Sequence, residues 1–342
     1  MEVREMILFT VWTTSACNLR CRYCYEGTEK ASNQMSIAAA DDTIHFIVNT
    51  MNDHPSHGVW IVFHGGEPCM NFPVIEHVVQ QIRKKLAGRY ISFSITTNAT
   101  LLDERKMEFL AQNMDEITVS LDGTKQTHDS ERIDSKGQGT FDKALSTALL
   151  INHTSADIRV RMTVTPSNVA NLFDNICFLI KCGFKTIVPA VDFFAQDWRQ
   201  ELFDVLEQQF IKAKQYVRDM HDPDLCVAMT NSDEPQEVGS CTGGINEFHI
   251  YPNGDIYPCV YTVMQPQYRC GNVRTGIDRS KVQELKKLYA CTVSQCEGCS
   301  CYSGCISTRC KFLNEALTGN PLQPAPAVCL TQNVCISVYR HS

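Results

Sequence analysis

The chain lacks long hydrophobic runs and any excess of positive charge. No stretch of about 18 apolar residues occurs, which argues against a membrane-spanning helix. Lysine and arginine number 31 against 38 aspartates and glutamates, so the net charge is −7, and no long basic segment is present. This argues against a nucleic-acid partner, because such partners require a positively charged surface. The first ten residues, MEVREMILFT, carry charges on both sides of a short apolar patch, unlike a secretory signal peptide.

Cysteine, by contrast, is abundant and unevenly distributed. Of 18 cysteines, seven lie at or before Cys226 and eleven lie from Cys241 onward. Without a signal peptide, this abundance favours a reducing, cytoplasmic compartment and metal ligation over disulfides. The 342 residues are enough for one large domain and a smaller one. The change in cysteine density and the polar segments between residues 222 and 240 predict domains at 1–222 and 223–342.

In the first of these domains, short β-type segments alternate with helix-length segments six times. The predicted strands are 6–13, 59–64, 90–96, 116–121, 157–164 and 186–192. The predicted helices are 36–52 (with Ser36 as N-cap), 73–87, 103–112, 141–152, 169–182 and 198–220. This alternation demands a parallel sheet with crossover helices and a site at the C-terminal ends of the strands. Periodicity leaves open whether the sheet is doubly wound or an incomplete barrel.

A cysteine-rich loop directly follows the first predicted strand. Cys17, Cys21 and Cys24 form the pattern C-x3-C-x2-C, and the aromatic residue Tyr23 precedes the last cysteine. Three thiolates at this spacing can bind three irons of a four-iron cluster and leave the fourth iron open. The alternative is three buried cysteines that happen to be close together.

With this loop the chain resembles the radical S-adenosylmethionine (SAM) enzymes. In that family the open iron holds the amino and carboxylate groups of SAM. An electron from the cluster then cleaves SAM to a 5′-deoxyadenosyl radical, which abstracts hydrogen from a substrate. The resemblance implies an α/β fold with an incomplete (β/α)6 barrel, and an external electron donor. It also implies a [4Fe-4S] cluster on Cys17, Cys21 and Cys24.

Three motifs after later strands extend the resemblance. They are HGGEP at residues 64–68, Thr-Thr-Asn at 96–98 and SLDG at 120–123, the last followed by His128 and Arg132. The resemblance implies that SAM contacts Tyr23, Gly65, Gly66, Glu67, Thr97, Asn98, Ser120 and Arg132. Arg132 would bind the carboxylate, since a guanidinium presents a planar fork of donors. The simpler interpretation is glycine and Thr/Asn turns with a solvated arginine. His128 is expected to order its loop, and Cys177 and Cys182 to be buried small hydrophobic residues.

The tail contains a predicted hairpin and a second group of cysteines. Asn253-Gly254 between alternating apolar residues predicts a hairpin that brings Cys241 and Cys259 onto neighbouring structure. C-x2-C pairs are also typical of closed zinc sites. The tail resembles the SPASM extension of radical SAM enzymes, which binds two auxiliary four-iron clusters. One spacing departs from that pattern, because four residues rather than three separate Cys305 from Cys310.

The SPASM resemblance implies two further [4Fe-4S] clusters, three in all. The distal cluster would be held by Cys296, Cys299, Cys305 and Cys329, and the one nearer the SAM site by Cys241, Cys259 and Cys310. No cysteine lies between Cys241 and Cys259, so a fourth ligand of the nearer cluster is missing or comes from Cys270 or Cys291. An open iron there could bind a substrate thiolate. Cys301 and Cys335 are surplus.

The resemblance further implies a peptide-modifying oxidoreductase, because SPASM enzymes mostly act on peptides or proteins. Anaerobic sulfatase-maturating enzymes typically carry an Asp as base directly after the cysteine that matches Cys259, whereas this chain has Val260. We therefore favour crosslinking of a ribosomally made precursor peptide through a Cys thioether. Because the first strand starts near residue 6, leader recognition is expected to use the barrel surface, the tail or a separate leader-binding protein.

Four alternatives remain open at this point. They are a formylglycine-generating sulfatase maturase, a carbon–carbon crosslinking maturase, a small-molecule dehydrogenase of the same superfamily, and a non-catalytic metal-binding or electron-carrier protein. The pattern of residues identifies no catalytic side chain.

Overall fold

The computed structural model describes residues 5–154, 157–230 and 237–341. Residues 1–4 of the N-terminal segment and residues 231–236 of the predicted connector lie outside the described residues. The strands are β1 Met6–Thr14, β2 Gly58–Gly65, β3 Ile91–Thr97, β4 Glu116–Ser120, β5 Asp157–Val164, β6 Thr186–Val191, β7 Cys226–Val227, β8 Glu247–Ile250, β9 Asp255–Tyr257, β10 Gly271–Asn272 and β11 Gly276–Ile277. The α-helices are α1 Ile37–Asp53, α2 Phe72–Lys85, α3 Glu104–Asn113, α4 Lys125–Glu131, α5 Phe141–Asn152, α6 Leu172–Lys181, α7 Gln200–Met220, α8 Arg279–Ala290, α9 Ile306–Arg309, α10 Lys311–Thr318 and α11 Pro326–Arg340.

The described strands form one sheet in the order β11-β10-β9-β8-β1-β2-β3-β4-β5-β6-β7. From β1 to β7, each strand pairs in parallel with the next. The order does not return to its start, so the sheet stays open between β7 and β11. Six β/α repeats therefore build an unclosed barrel, which confirms the predicted α/β fold and decides against a doubly wound sheet.

The six predicted strands and six predicted helices of the barrel are present close to their expected bounds. Ser36 is the N-cap of α1, as predicted, and its Oγ accepts a hydrogen bond of 3.1 Å from the Ala39 amide. The predicted helix at 169–182 divides into a 3-10 turn, Val169–Asn171, and α6. Helix α4 was not predicted, because its sequence KQTHDSE has no apolar periodicity.

Alternation along β1 separates the helix-facing core from the barrel interior. Ile7, Phe9 and Val11 are fully buried, and Phe9 lies edge-on to Phe46 of α1 with ring centroids 6.1 Å apart. Burial of each such side chain stabilises the fold by ~1.5–3 kcal/mol. The alternate position Trp12 points to the other face of the sheet, towards the barrel interior, because successive strand residues face opposite sides.

The tail continues the barrel sheet. β8 pairs in parallel with β1, from Leu8 opposite Glu247 to Val11 opposite Ile250. β8 and β9 form the predicted hairpin, and Gly254 supplies its positive φ of 86°. Because β7 and β8 both pair with barrel strands, the domain boundary at residue 222 remains a prediction. Among the described helices, none has the length and apolar character needed to cross a membrane.

Candidate functional site

The predicted cluster loop lies at the C-terminal end of β1, on the edge of the sheet where the parallel strands end. Burial raises the pKa of the Cys17 thiol to about 12, and nearby Glu67 and Cys21 add to the rise. Burial also raises the pKa of Cys21, with Arg132 opposing it and Cys24 adding to it. The Lys30 Nζ atom lies 2.7 Å from the Cys24 Sγ atom. The loop therefore gathers three sulfur atoms beside a cation, in surroundings where a thiol becomes a thiolate on binding a metal.

Gly65 and Gly66, at and after the end of β2, approach the backbone of this loop so closely that no side chain fits there. Gly65 has a φ of +139°, and a Cβ atom there would lie 2.0 Å from the Thr14 carbonyl oxygen. A Cβ atom on Gly66 would lie 2.4 Å from the Ala16 oxygen. The amides of Gly66 and Glu67 donate to the carbonyls of Thr14 and Ala16 at 3.1 and 2.8 Å. The GGE segment thus fixes the start of the cysteine loop, whereas its predicted contact with SAM remains a prediction.

Glu67 is buried and its carboxylate joins the ends of β2 and β3. Its Oε1 accepts from Thr97 Oγ1 at 2.7 Å and from the Cys69 amide at 3.1 Å. Its Oε2 accepts from the Asn98 amide at 2.7 Å. Asn98 in turn donates through Nδ2 to Asn18 Oδ1 of the cysteine loop at 3.0 Å. The structure therefore brings Glu67, Thr97 and Asn98 together beside the loop, as the motifs predicted.

Asp122 joins the cysteine loop to the end of β4. The Tyr23 hydroxyl donates to Asp122 Oδ2 at 2.6 Å, and Arg132 donates to both carboxylate oxygens at 2.9 and 3.2 Å. The Arg132 guanidinium also lies 5.2 Å from the centroid of the Tyr23 ring. Burial disfavours the charge of Arg132, but the Asp122 carboxylate outweighs burial and raises the pKa of the arginine. Arg132 is thus a buried, paired cation and not the solvated charge of the simpler interpretation.

Ser120 and His128, the other two residues of this motif, do not contact Asp122 in the same way as Tyr23 and Arg132. Ser120 ends β4, half-buried, opposite Arg161 of β5 in the register. His128 is buried, and its Nε2 atom lies 3.2 Å from Thr140 Oγ1, which agrees with a role in ordering the loop. Burial lowers the pKa of His128 to about 4, and Arg132 adds to this effect, so its ring is neutral near pH 7.

In the tail, the structure places Cys241, Cys259 and Cys310 near one another. Burial raises the pKa of Cys259, and the charges of Cys310 and Cys241 add to the rise. Burial likewise raises the pKa of Cys310, with Cys241 adding to it. Mutual electrostatic effects of this kind require the three sulfur atoms to be close. They match the predicted ligand set nearer the barrel.

The predicted distal set is also brought together. Burial raises the pKa of Cys329 to about 11, and the charges of Cys305, Cys296, Cys299 and Cys301 add to it. The surplus Cys301 therefore lies within the group. Cys335 lies beside it, because Cys301 and Cys305 add to the burial that raises its pKa to about 11.

The two candidates for a fourth ligand of the nearer group differ in environment. Cys270 is fully buried, and its Sγ donates to the Ile256 carbonyl at 3.4 Å. Cys291 is exposed, and its Sγ donates to the Lys287 carbonyl at 3.3 Å. Each thiol is thus bonded to a backbone carbonyl. Both also border the nearer group, because Cys270 acts on the pKa of Tyr289 together with Cys241 and Cys259, and Cys291 acts on that of Lys311 together with Cys310 and Cys241.

The three cysteine groups are sets of soft thiolate donors, which suit zinc as well as iron–sulfur clusters. Within the described ranges, no three His, Cys, Asp or Glu side chains surround a point that could hold one metal ion. That the tail cysteines hold iron–sulfur clusters therefore remains a prediction from the resemblance.

Sequence reasoning missed two cations and gave Asp122 no role. Lys30 contacts Cys24, but its spacing from the motif carries no signal. Lys311 is buried among the tail cysteines. Burial lowers its pKa, and the charges of Cys291, Cys296, Cys310 and Cys241 oppose that effect. Asp122 stands inside the SLDG motif, so its position was evident from the sequence but its partners were not.

Comparison with known proteins agrees with these motifs. Residues 12–166 match the radical SAM superfamily. The cysteine-type anaerobic sulfatase-maturating enzyme of Clostridium novyi (strain NT) is 25% identical over 327 residues, covering 86% of this chain and 85% of the relative. The solved structure of anSMEcpe with bound AdoMet and Cp18Cys peptide has a TM-score of 0.81 at 19% identity, covering 97% of this chain and 96% of that one. The solved structure of Streptococcus suis SuiB bound to precursor peptide SuiA has a TM-score of 0.67 at 16% identity, and the match covers 95% of this chain and 76% of SuiB.

At these identities the two solved structures bear on the fold alone, whereas the family match covers the cysteine loop and the motifs after β2, β3 and β4. The non-catalytic interpretation is thereby set aside. The chain is thus an enzyme that carries a radical SAM domain at residues 12–166, followed by a cysteine-rich C-terminal region.

Proposed function

We propose that this enzyme cleaves SAM reductively and crosslinks a ribosomally made precursor peptide, through a Cys thioether. Two structurally similar proteins support a peptide substrate, since anSMEcpe was solved with a Cp18Cys peptide and SuiB with its precursor peptide SuiA. The observation that selects crosslinking is the environment of Val260, directly after Cys259.

Val260 packs against an apolar cluster of Trp12, Tyr251 and Tyr257. An aliphatic side chain has no group that accepts a proton, so this position cannot act as the base that sulfatase maturases typically carry there. The apolar packing makes the position part of the neighbouring core. This is why we place thioether formation ahead of formylglycine formation.

The proposed roles of the chain's own residues follow from their positions. Cys17, Cys21 and Cys24 would hold a cluster, which would supply the electron for reductive cleavage of SAM. Glu67 and Asp122 fix the neighbouring segments through the hydrogen bonds described above. Gly65, Gly66, Thr97, Asn98, Ser120 and Arg132 are proposed to line the SAM pocket, together with Tyr23 and Glu67.

Thioether formation requires an electron acceptor besides SAM. The substrate loses the hydrogen of an S–H bond and of a C–H bond, and gains one S–C bond. One hydrogen atom goes to 5′-deoxyadenosine, the thiol proton goes to solvent or a base, and one electron remains. The groups at Cys241, Cys259 and Cys310 and at Cys296, Cys299, Cys305 and Cys329 are proposed to hold two auxiliary clusters, which supply a redox-active acceptor.

Formylglycine formation is the second candidate, favoured by the relative from Clostridium novyi, which covers 86% of this chain. The two reactions leave different products. A thioether is two hydrogen atoms lighter than its precursor and its thiol no longer reacts with iodoacetamide. Formylglycine carries an aldehyde that reacts with a hydrazide.

The test is an anaerobic assay of the reconstituted enzyme with SAM, dithionite and synthetic Cys-containing peptides, including any such peptide that is encoded beside its gene. We expect 5′-deoxyadenosine together with a peptide that is lighter by two hydrogens and resistant to alkylation. A hydrazide-reactive product would establish the formylglycine reaction instead. The absence of 5′-deoxyadenosine with every peptide and without peptide would contradict the proposed chemistry as a whole.

A further inference from the structure

Three buried nitrogen atoms without partners face the barrel interior between β8, β1 and β2. They are Trp12 Nε1, His64 Nδ1 and His249 Nδ1, each shielded from solvent and without a hydrogen-bond partner in the described part of the chain. The register explains why they meet: Trp12 lies opposite His64, and Thr10, two residues before Trp12, lies opposite His249. The Trp12 and His64 rings are 5.1 Å apart. Buried polar groups are normally paired, so such a cluster indicates a ligand.

An unpaired cation stands on the same inner face of the sheet, on β5. Arg161 of β5 is exposed, and its side chain has no hydrogen-bond or ion-pair partner among the described residues. Its charge adds to the burial that lowers the pKa of His64 to about 3, so Arg161 lies within electrostatic range of that histidine.

We propose that Trp12, His64 and Arg161 form a subsite that binds a carboxylate of the peptide substrate inside the barrel, an inference that rests on the peptide-modifying function proposed above. A carboxylate accepts hydrogen bonds from an indole N–H, from a neutral imidazole protonated on Nδ1 and from a guanidinium. Arg161 supplies the charge that a buried anion requires. The carboxylate belongs to an acidic side chain or to the C-terminus of the peptide.

His249 completes the subsite as an acceptor. Its Nε2 lies 3.4 Å from Glu247 Oε1, and in the tautomer whose Nε2 donates to that carboxylate, Nδ1 is an acceptor. A backbone N–H of the peptide, next to the bound carboxylate, can donate to His249 Nδ1. One acceptor beside several donors matches a peptide residue better than a free inorganic anion, which carries no donor of this kind.

The competing ligand is the carboxylate of SAM, because Arg161 lies opposite Ser120, a predicted SAM contact. The two possibilities are distinguished by measuring both ligands. The probes are N-acetyl-aspartate amide for a side-chain carboxylate, N-acetyl-alanine for a terminal one, and the neutral N-acetyl-asparagine amide as reference. Binding is measured by saturation-transfer NMR on the full-length, cluster-reconstituted protein with SAM bound.

We expect one of the two carboxylate probes to bind at least about tenfold more tightly than the neutral reference. Arg161→Gln should remove that preference, and Trp12→Phe, which keeps the aromatic ring but removes the N–H, should reduce it by roughly threefold to tenfold. Arg159→Gln is the matched control. Arg159 lies two residues earlier on the same strand and the same face, but it is already paired with Glu116 at 2.9 Å. It should leave the preference unchanged.

Carboxylate probes that bind no better than the neutral reference, or not at all, would overturn the proposal. So would a preference that survives Arg161→Gln. If Arg161→Gln weakens SAM binding and leaves the probes unaffected, the arginine serves SAM and the subsite is wrong. Because Arg161 is exposed, its variant is expected to fold even if Trp12→Phe does not. Formation of 5′-deoxyadenosine by the unaltered enzyme tests the proposed function separately.

Discussion

Tyr23 and Asp122 are joined by a hydrogen bond of 2.6 Å from the phenol hydroxyl to the carboxylate, although 99 positions separate them in the chain. Tyr23 belongs to the cysteine loop and Asp122 follows β4. The same carboxylate accepts from Arg132 and from the Thr163 amide at 2.9 Å. One buried anion thus holds the loop, the β4 end and β5 in a fixed arrangement.

Asp122→Asn should destabilise the protein by ~3–5 kcal/mol, because it leaves the buried Arg132 charge without its counter-ion. The free energy of unfolding in denaturant measures the loss. Asp142→Asn is the control, since Asp142 pairs with Lys125 at the exposed surface and should show no measurable change. Equal stability of the two variants would contradict the structural role given to Asp122.

Gly65→Ala should be much more damaging than Gly137→Ala, although both glycines have positive φ. A Cβ atom on residue 137 would have no other atom within 4 Å, so only the strain of the left-handed conformation applies, about 1–2 kcal/mol. At Gly65 the new atom would collide with the Thr14 carbonyl at 2.0 Å and displace the start of the cysteine loop. Thermal unfolding and iron content together measure both effects. An alanine at position 65 with normal stability and iron would refute this account of the GGE segment.

Replacing Cys17, Cys21 and Cys24 together with Ala should abolish 5′-deoxyadenosine formation. The tail should still bind roughly eight irons, two clusters' worth by its thiolate groups. Iron analysis and visible absorption of the anaerobically reconstituted variant provide the measurement. Stoichiometric zinc without a brown chromophore would reverse the assignment of the tail, and persistent SAM cleavage would reverse that of the loop.

Neither Cys270→Ala nor Cys291→Ala should remove iron from the tail, whereas Cys241→Ala should. Both Cys270 and Cys291 donate to backbone carbonyls, at 3.4 and 3.3 Å, and neither appears among the charges that act on Cys259 or Cys310. Spectra recorded with and without a Cys-containing peptide then test for substrate binding at an open iron. Loss of one cluster in Cys270→Ala or Cys291→Ala, with spectra unchanged by peptide, would identify that cysteine as the fourth ligand.

The sequence predicted those parts of the fold that have a local signal. Six β/α repeats, the Ser36 cap and the Asn253-Gly254 hairpin all follow from short-range patterns, and all are present. The parallel pairing of β8 with β1 has no such signal, because Leu8 and Glu247 are brought together only by the complete sheet. Helix α4 was missed for a related reason, since tertiary contacts of its buried residues Thr127, His128 and Glu131 compensate for a polar sequence.

For the candidate site, the motifs indicated which residues lie near one another but not which protein groups they hydrogen-bond or pair with. The cysteine groups lie together, and the segments around Glu67 and Asp122 follow β2 and β4, but their binding of clusters and SAM stays a prediction. That Glu67 and Arg132 are already engaged by protein partners depends on distances that no spacing encodes. The sequence also contained no indication of the unpaired nitrogens of Trp12 and His249, because these residues belong to strands without a recognisable motif.

The position of β1 between β2 and β8 has a consequence for how the chain is made. β1 is complete only when both of its edges are paired, and its second partner ends at Ile250. During synthesis, the strand that carries the cysteine loop therefore keeps one edge open until about three quarters of the chain has left the ribosome. An open strand edge is a template for wrong pairing. Loading of the first cluster is thus best timed after β8 has paired with β1, when the strand beneath the cluster has both neighbours.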